Sequence, residues 1–101
     1  MFLLKLKYNL LICALVSLDT PVRCLYKHAR NYEEDAYTVV NSTELNVKNA
    51  KIAAKNFDAA SICYKLAMRE ATCWRRRSGF REAHLRCEAQ AAAIRKNFEL
   101  N

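Results

Sequence analysis

The stretch AAKNFDAASICYKLAMREA, Ala53 to Ala71, decides how the rest of the chain is read. It holds no glycine and no proline. Phe57, Ala60, Tyr64, Ala67, Met68 and Ala71 stand mostly three or four residues apart, and Trp74 continues the series. That spacing places side chains on one face of an α-helix. Alanines on such a face let a neighbouring helix come close, and the rings fill the gaps between them. Lys55-Asn56 reads as a weak break, because asparagine tolerates turn geometry.

Upstream, Asp19-Thr20-Pro21 is a helix start: a cap oxygen precedes a proline, whose missing N–H costs nothing in a first turn. Val22, Leu25, Ala29, Tyr32, Ala36 and Val39 then form one stripe. Asn41-Ser42-Thr43 reads as a break, with Thr43 able to cap a helix carrying Leu45, Val47, Ala50 and Ala54. Downstream, Ser78-Gly79 reads as punctuation, with glycine ending one helix and serine capping the next. Phe80, Ala83, Cys87, Gln90, Ala91, Ile94 and Phe98 make a further stripe.

Three of these segments share a phrase. NYEEDA at Asn31, NFDAA at Asn56 and GFREA at Gly79 each join a turn-forming residue, an aromatic, a nearby acid and an alanine. The aromatics Tyr32, Phe57 and Phe80 lie about two dozen residues apart, and such recurrence is the mark of a helical solenoid. The expected fold is all-α: antiparallel helical hairpins in a solenoid fragment of four to five helices. One glycine and one proline in 101 residues exclude turn-rich β architectures.

Residues 1–18 stand apart from a helical-repeat domain at 19–101. Lys5 and Lys7 precede an apolar run from Leu10 to Val16, short for a membrane span and near the length of a signal-peptide core. A cleaved signal, a packing or membrane-touching first helix, and an irregular terminus are all compatible with it.

The formal net charge is +7, and nine Lys or Arg face four Glu from Lys65 onward. Such a surface prefers an acidic partner. No phosphate loop, nucleophile elbow or paired carboxylates point to catalysis. Glu33-Glu34-Asp35 reads as a solvated charge run, and His28 and His84 as surface or packing residues. The five cysteines, Cys13, Cys24, Cys63, Cys73 and Cys87, give no complete zinc pattern, and no cofactor motif is present. They read best as small apolar side chains. A secreted protein stapled by Cys73–Cys87 is the alternative. In CWRRRSGF, arginines between Trp74 and Phe80 raise nucleic-acid binding as another. The simpler reading keeps Trp74 in the stripe and lets the arginines end a helix, where the dipole favours cations.

Phe57, Ala60, Tyr64 and Ala67 resemble part of the tetratricopeptide repeat, with Lys55 where that repeat has glycine. A closer resemblance is to the soluble NSF attachment protein (SNAP) family. AKNFDAASICYKLA is similar to its second hairpin, EAHLRCEAQAAAIRK to the following helix, and RNYEEDAY to the opening of its first hairpin, so the likeness spans roughly Tyr26 to Lys96. The family's carboxy-terminal half, which stimulates the NSF ATPase, has no counterpart in these residues. The resemblance implies a non-enzymatic cytoplasmic adaptor, peripheral to membranes, that lays a basic face on a SNARE complex in vesicle transport. Lys55 is the matched candidate for that face. Charge placement alone adds Lys51, Arg75, Arg76, Arg77 and Lys96.

Overall fold

The computed structural model describes residues 20–42 and 44–100. They form three α-helices: α1 (Thr20–Val40), α2 (Val47–Glu70) and α3 (Trp74–Asn97). The all-α expectation holds among the described residues, which supply three of the four to five helices expected. Residues 1–18 lie outside the described part, and two expected breaks do not occur.

The first is Lys55-Asn56, which sits in mid-α2. Asparagine costs a helix only a few tenths of a kcal/mol relative to a good helix former. The apolar face Ala50, Ala53, Ala54, Phe57, Ala60 continues through it and is buried. The second is Ser78-Gly79, inside α3. Gly79 has no left-handed φ, and its cost of about 1 kcal/mol relative to alanine is too small to stop a helix held by packing.

The real break is Ala71-Thr72-Cys73, which contains neither glycine nor proline. Ala71 leaves the helix at φ −73°, ψ 132° while its N–H still donates to Ala67 O. Its own carbonyl accepts from Arg77 Nε at 2.8 Å, and its side chain is buried. A bond from a residue six positions ahead, in the first turn of α3, spans the turn.

The other ends follow local chemistry. Pro21 lies in the first turn of α1 as its fixed φ favours. That helix closes through Asn41 N to Tyr37 O (2.9 Å) and Ser42 N to Val39 O (3.2 Å). The expected cap Thr43 lies outside the described residues. Asn46 is the cap of α2, its side chain accepting from Asn49 N at 2.9 Å. Leu45 precedes the helix. α3 ends with Glu99 N donating to Lys96 O (3.3 Å) and Leu100 N to Arg95 O (2.8 Å). Glu99, at φ 53°, takes the left-handed position usually given to glycine.

α2 is the central element, packed along its length on both α1 and α3. Tyr26 meets Tyr64 and Tyr37 meets Phe57, so α1 and α2 run antiparallel. Ser61 meets His84 and Asp58 pairs with Arg95, so α2 and α3 do too. Hence α1 and α3 are parallel and lie beside one another on α2. The core is rich in alanine: Ala29, Ala36, Ala50, Ala53, Ala60, Ala83 and Ala91 share one buried cluster with the fully buried Phe57. The recurrent phrases do not open units. Tyr32, Phe57 and Phe80 each lie within a helix, one per helix.

Candidate functional site

α1 and α3 share α2 as a floor and meet each other through side chains. The principal link is Glu33. The sequence places it four residues after Ala29 and three before Ala36, which is on the buried stripe, and it is only 8% exposed. Its Oε2 accepts from Arg86 Nε at 2.8 Å, and Oε1 accepts from Arg86 Nη2 at 2.9 Å and from the Tyr64 hydroxyl at 2.8 Å. One carboxylate thus ties α1 to α2 and α3. The reading of Glu33 as part of a solvated run is corrected: only Glu34 and Asp35 face water. Periodicity could have revealed this, because Glu33 falls in register with the alanines.

Burial pushes the Glu33 carboxyl up, but the hydrogen bonds from Arg86 and Tyr64 outweigh it and hold its pKa below the ordinary carboxylate value. The same bond raises the Arg86 guanidinium further above its usual value. Burial, then the bond to Glu33, raises the Tyr64 phenol. Glu33 is therefore an anion at neutral pH, and the network has no group poised as a general acid or base.

Beside this link a cavity of about 590 Å³ opens between α1 and α3. Tyr26, Tyr64 and Phe80 form an aromatic cluster on its wall, with ring centroids 6.4 and 5.8 Å apart. Arg30, Arg76 and Arg86 also line it, as does Gly79. Arg30 lies 5.8 Å from the Tyr26 ring centre and 3.2 Å from Glu34.

The residues expected from the sequence to form one basic face are divided. Lys51 and Lys55 are exposed one turn apart on α2, on the side away from the groove. Lys96 is exposed near the end of α3, and the antiparallel pairing of Asp58 with Arg95 puts it at the same end of the hairpin. Arg75, Arg76 and Arg77 lie at the opposite end, in the first turn of α3. Of the six, only Arg76 lines the cavity. The arginines begin a helix instead of ending one, so the dipole opposes them. Trp74 is 73% exposed and lies outside the stripe. Arg75 stacks near its ring at 5.6 Å.

The Cys73–Cys87 bridge is also corrected. Both thiols are free, as is Cys63. Uninterrupted helix across Gly79 sets residues 73 and 87 about 20 Å apart along the axis, beyond the reach of a disulfide. Cys24 is disulfide-bonded. His84 packs against Ser61, with Nδ1 and Oγ 2.7 Å apart. Among the described residues no group of three His, Cys, Asp or Glu could hold a metal ion, and no helix is long and apolar enough to cross a membrane.

No protein-family model matches the chain, and neither a curated protein nor a solved structure is significantly similar to it.

Proposed function

We propose that this chain is a non-enzymatic helical adaptor that lays the outward face of α2 along an acidic helical partner. The observation that carries the reading is the composition of that face. Lys48, Lys51, Lys55, Lys65 and Arg69 are exposed on it. Ile52, Ile62 and Leu66 are exposed among them. The two acids of α2 do not cancel this charge: Asp58 is tied to Arg95, and Glu70 is the last residue of the helix. A basic rim around an apolar stripe complements an amphipathic helix with acidic flanks.

The side-by-side layering of α1 and α3 on α2 is how helical repeats stack, which supports the reading of these helices as part of an α-solenoid. The likeness of AKNFDAASICYKLA to the SNAP family makes a SNARE bundle the first partner to test. It also makes vesicle transport on the cytoplasmic face of membranes the setting, with an NSF-type ATPase as a further partner. Lys55, the matched residue, lies on this face with Lys51.

The test is binding of the full chain to an immobilised SNARE four-helix bundle at low and at physiological salt. A complex at low salt that is lost in Lys51→Glu/Lys55→Glu, with an unchanged circular dichroism spectrum, supports the reading. Binding that ignores the double reversal sinks it, and capture of RNA in its place moves the function to nucleic acid. One observation favours a second reading, an exported helical protein: the disulfide at Cys24 is a bond that persists in oxidising compartments.

A further inference from the structure

The cavity between α1 and α3 is separate from the outward face of α2 and plays no part in the adaptor reading. Its volume, about 590 Å³, falls in the range of small-ligand sites, which combine apolar walls with a few convergent polar groups. Here the apolar wall is the ring cluster of Tyr26, Tyr64 and Phe80. The charged groups are three arginines and one carboxylate. That carboxylate, Glu33, is already committed to Arg86 and Tyr64. It holds Arg86 at the cavity wall and does not act as a free anion that would repel a ligand.

All three cations are arginine. A planar guanidinium suits a phosphate or carboxylate, and it stacks on rings. Arg30 lies against Tyr26, to which it also donates a hydrogen bond, and makes an exposed pair with Glu34 four residues on. A pair of that kind stabilises little, so Arg30 can turn to a better anion. Gly79 completes the opening: a Cβ placed there meets nothing within 4 Å.

We propose that this cavity binds a small organic phosphate carried on a flat ring, with the ring against Tyr26 and Phe80 and the phosphate on Arg30 and Arg76. The ring supplies apolar contact that inorganic phosphate lacks, and the phosphate supplies the charge that a neutral ring lacks.

The chain itself provides the reporter. Gly79 is its only glycine, so its amide gives an isolated resonance in a ¹⁵N–¹H correlation spectrum. The full chain is titrated with phenyl phosphate, with inorganic phosphate and with phenol. The expected result is a saturable shift of Gly79 and of the Phe80 and Ala83 amides with phenyl phosphate, with weaker shifts from inorganic phosphate and none from phenol. Arg76→Gln is expected to weaken binding about tenfold or more, as loss of a charge-assisted hydrogen bond implies. Gly79→Leu plugs the groove from an exposed helical position, so it is expected to keep the helical spectrum and abolish the Phe80 and Ala83 shifts. The proposal is overturned if phenyl phosphate leaves these amides unmoved. It is equally overturned if phenol shifts them as strongly, or if Gly79→Leu, still folded, binds as the parent does.

Discussion

Replacing Glu33 by alanine should destabilise this protein more than any other substitution of a charged residue among the described positions. Two costs can be worked from the structure. The Tyr64 hydroxyl is buried and donates to Glu33; leaving such a donor unsatisfied costs about 1–3 kcal/mol. Arg86 loses a two-pronged partner. Breaking a fully buried pair costs about 3–5 kcal/mol, but the Arg86 side chain is 49% exposed, so water recovers much of that. A total of about 2–4 kcal/mol follows. A domain of this size loses roughly 4–8 °C of melting temperature per kcal/mol, so the midpoint should fall by about 10–25 °C.

The assay is thermal unfolding by circular dichroism of the parent, Glu33→Ala, Arg86→Ala and the double variant. The double variant should lose clearly less than the two singles summed, with a coupling of about 1 kcal/mol or more. The parent should also lose stability in acid. The Glu33 pKa is depressed in the folded state. Its contribution is therefore complete above the ordinary carboxylate range and is lost as pH falls below that range through the depressed value. Glu33→Ala should show a shallower acid dependence. A midpoint within about 4 °C of the parent, or strictly additive singles, would refute the view that this carboxylate holds three helices together.

Phe57→Ala should cost about 3–5 kcal/mol, because the ring is 0% exposed and meets Tyr37 edge-on at 5.0 Å; a melt that scarcely moves would remove Phe57 from the core. Gly79→Ala should stabilise by about 1 kcal/mol, since the position is helical, open and free of a left-handed φ; a lower midpoint would mean the helix is interrupted there. Of the three free thiols among the described residues, one should react readily with a disulfide reagent at mildly alkaline pH. Cys73 is exposed, and backbone N–H groups of Arg76 and Arg75 lower its pKa. Cys63 and Cys87 are buried, with pKa values pushed by burial to about 11 and about 12. They should react only on unfolding, and rapid modification of all three would contradict the packing.

The helical class and much of the core were legible because they rest on spacing. Val22, Leu25, Ala29 and Ala36 in α1 and Phe57, Ala60, Tyr64 and Ala67 in α2 are buried as their periodicity implies. The segment boundaries were less legible. Asn56 and Gly79 weaken a helix locally by amounts that a continuous packed face overrides. Ala71-Thr72-Cys73 carries no local signal, and the bond that caps the break comes from Arg77, six residues on, to the Ala71 carbonyl. Misplacing that break moved Trp74 into a core stripe and set the three arginines at the wrong end of a helix. The groove was hidden for another reason. Tyr64 and Arg86 lie 31 and 53 residues from Glu33 in sequence, and charge counting treats such residues as surface.

The link between Glu33 and Arg86 also bears on how the molecule comes apart. A row of helices that touch only their sequence neighbours can fray from either end, each helix leaving at its own free energy. Here the first and third helices also hold each other, through that ion pair and the Tyr26–Phe80 ring contact. Losing either outer helix therefore strips a partner from the opposite one. Amide protons of α1 and α3 should exchange with a common opening free energy, and removing Glu33 should let the two diverge into separate steps.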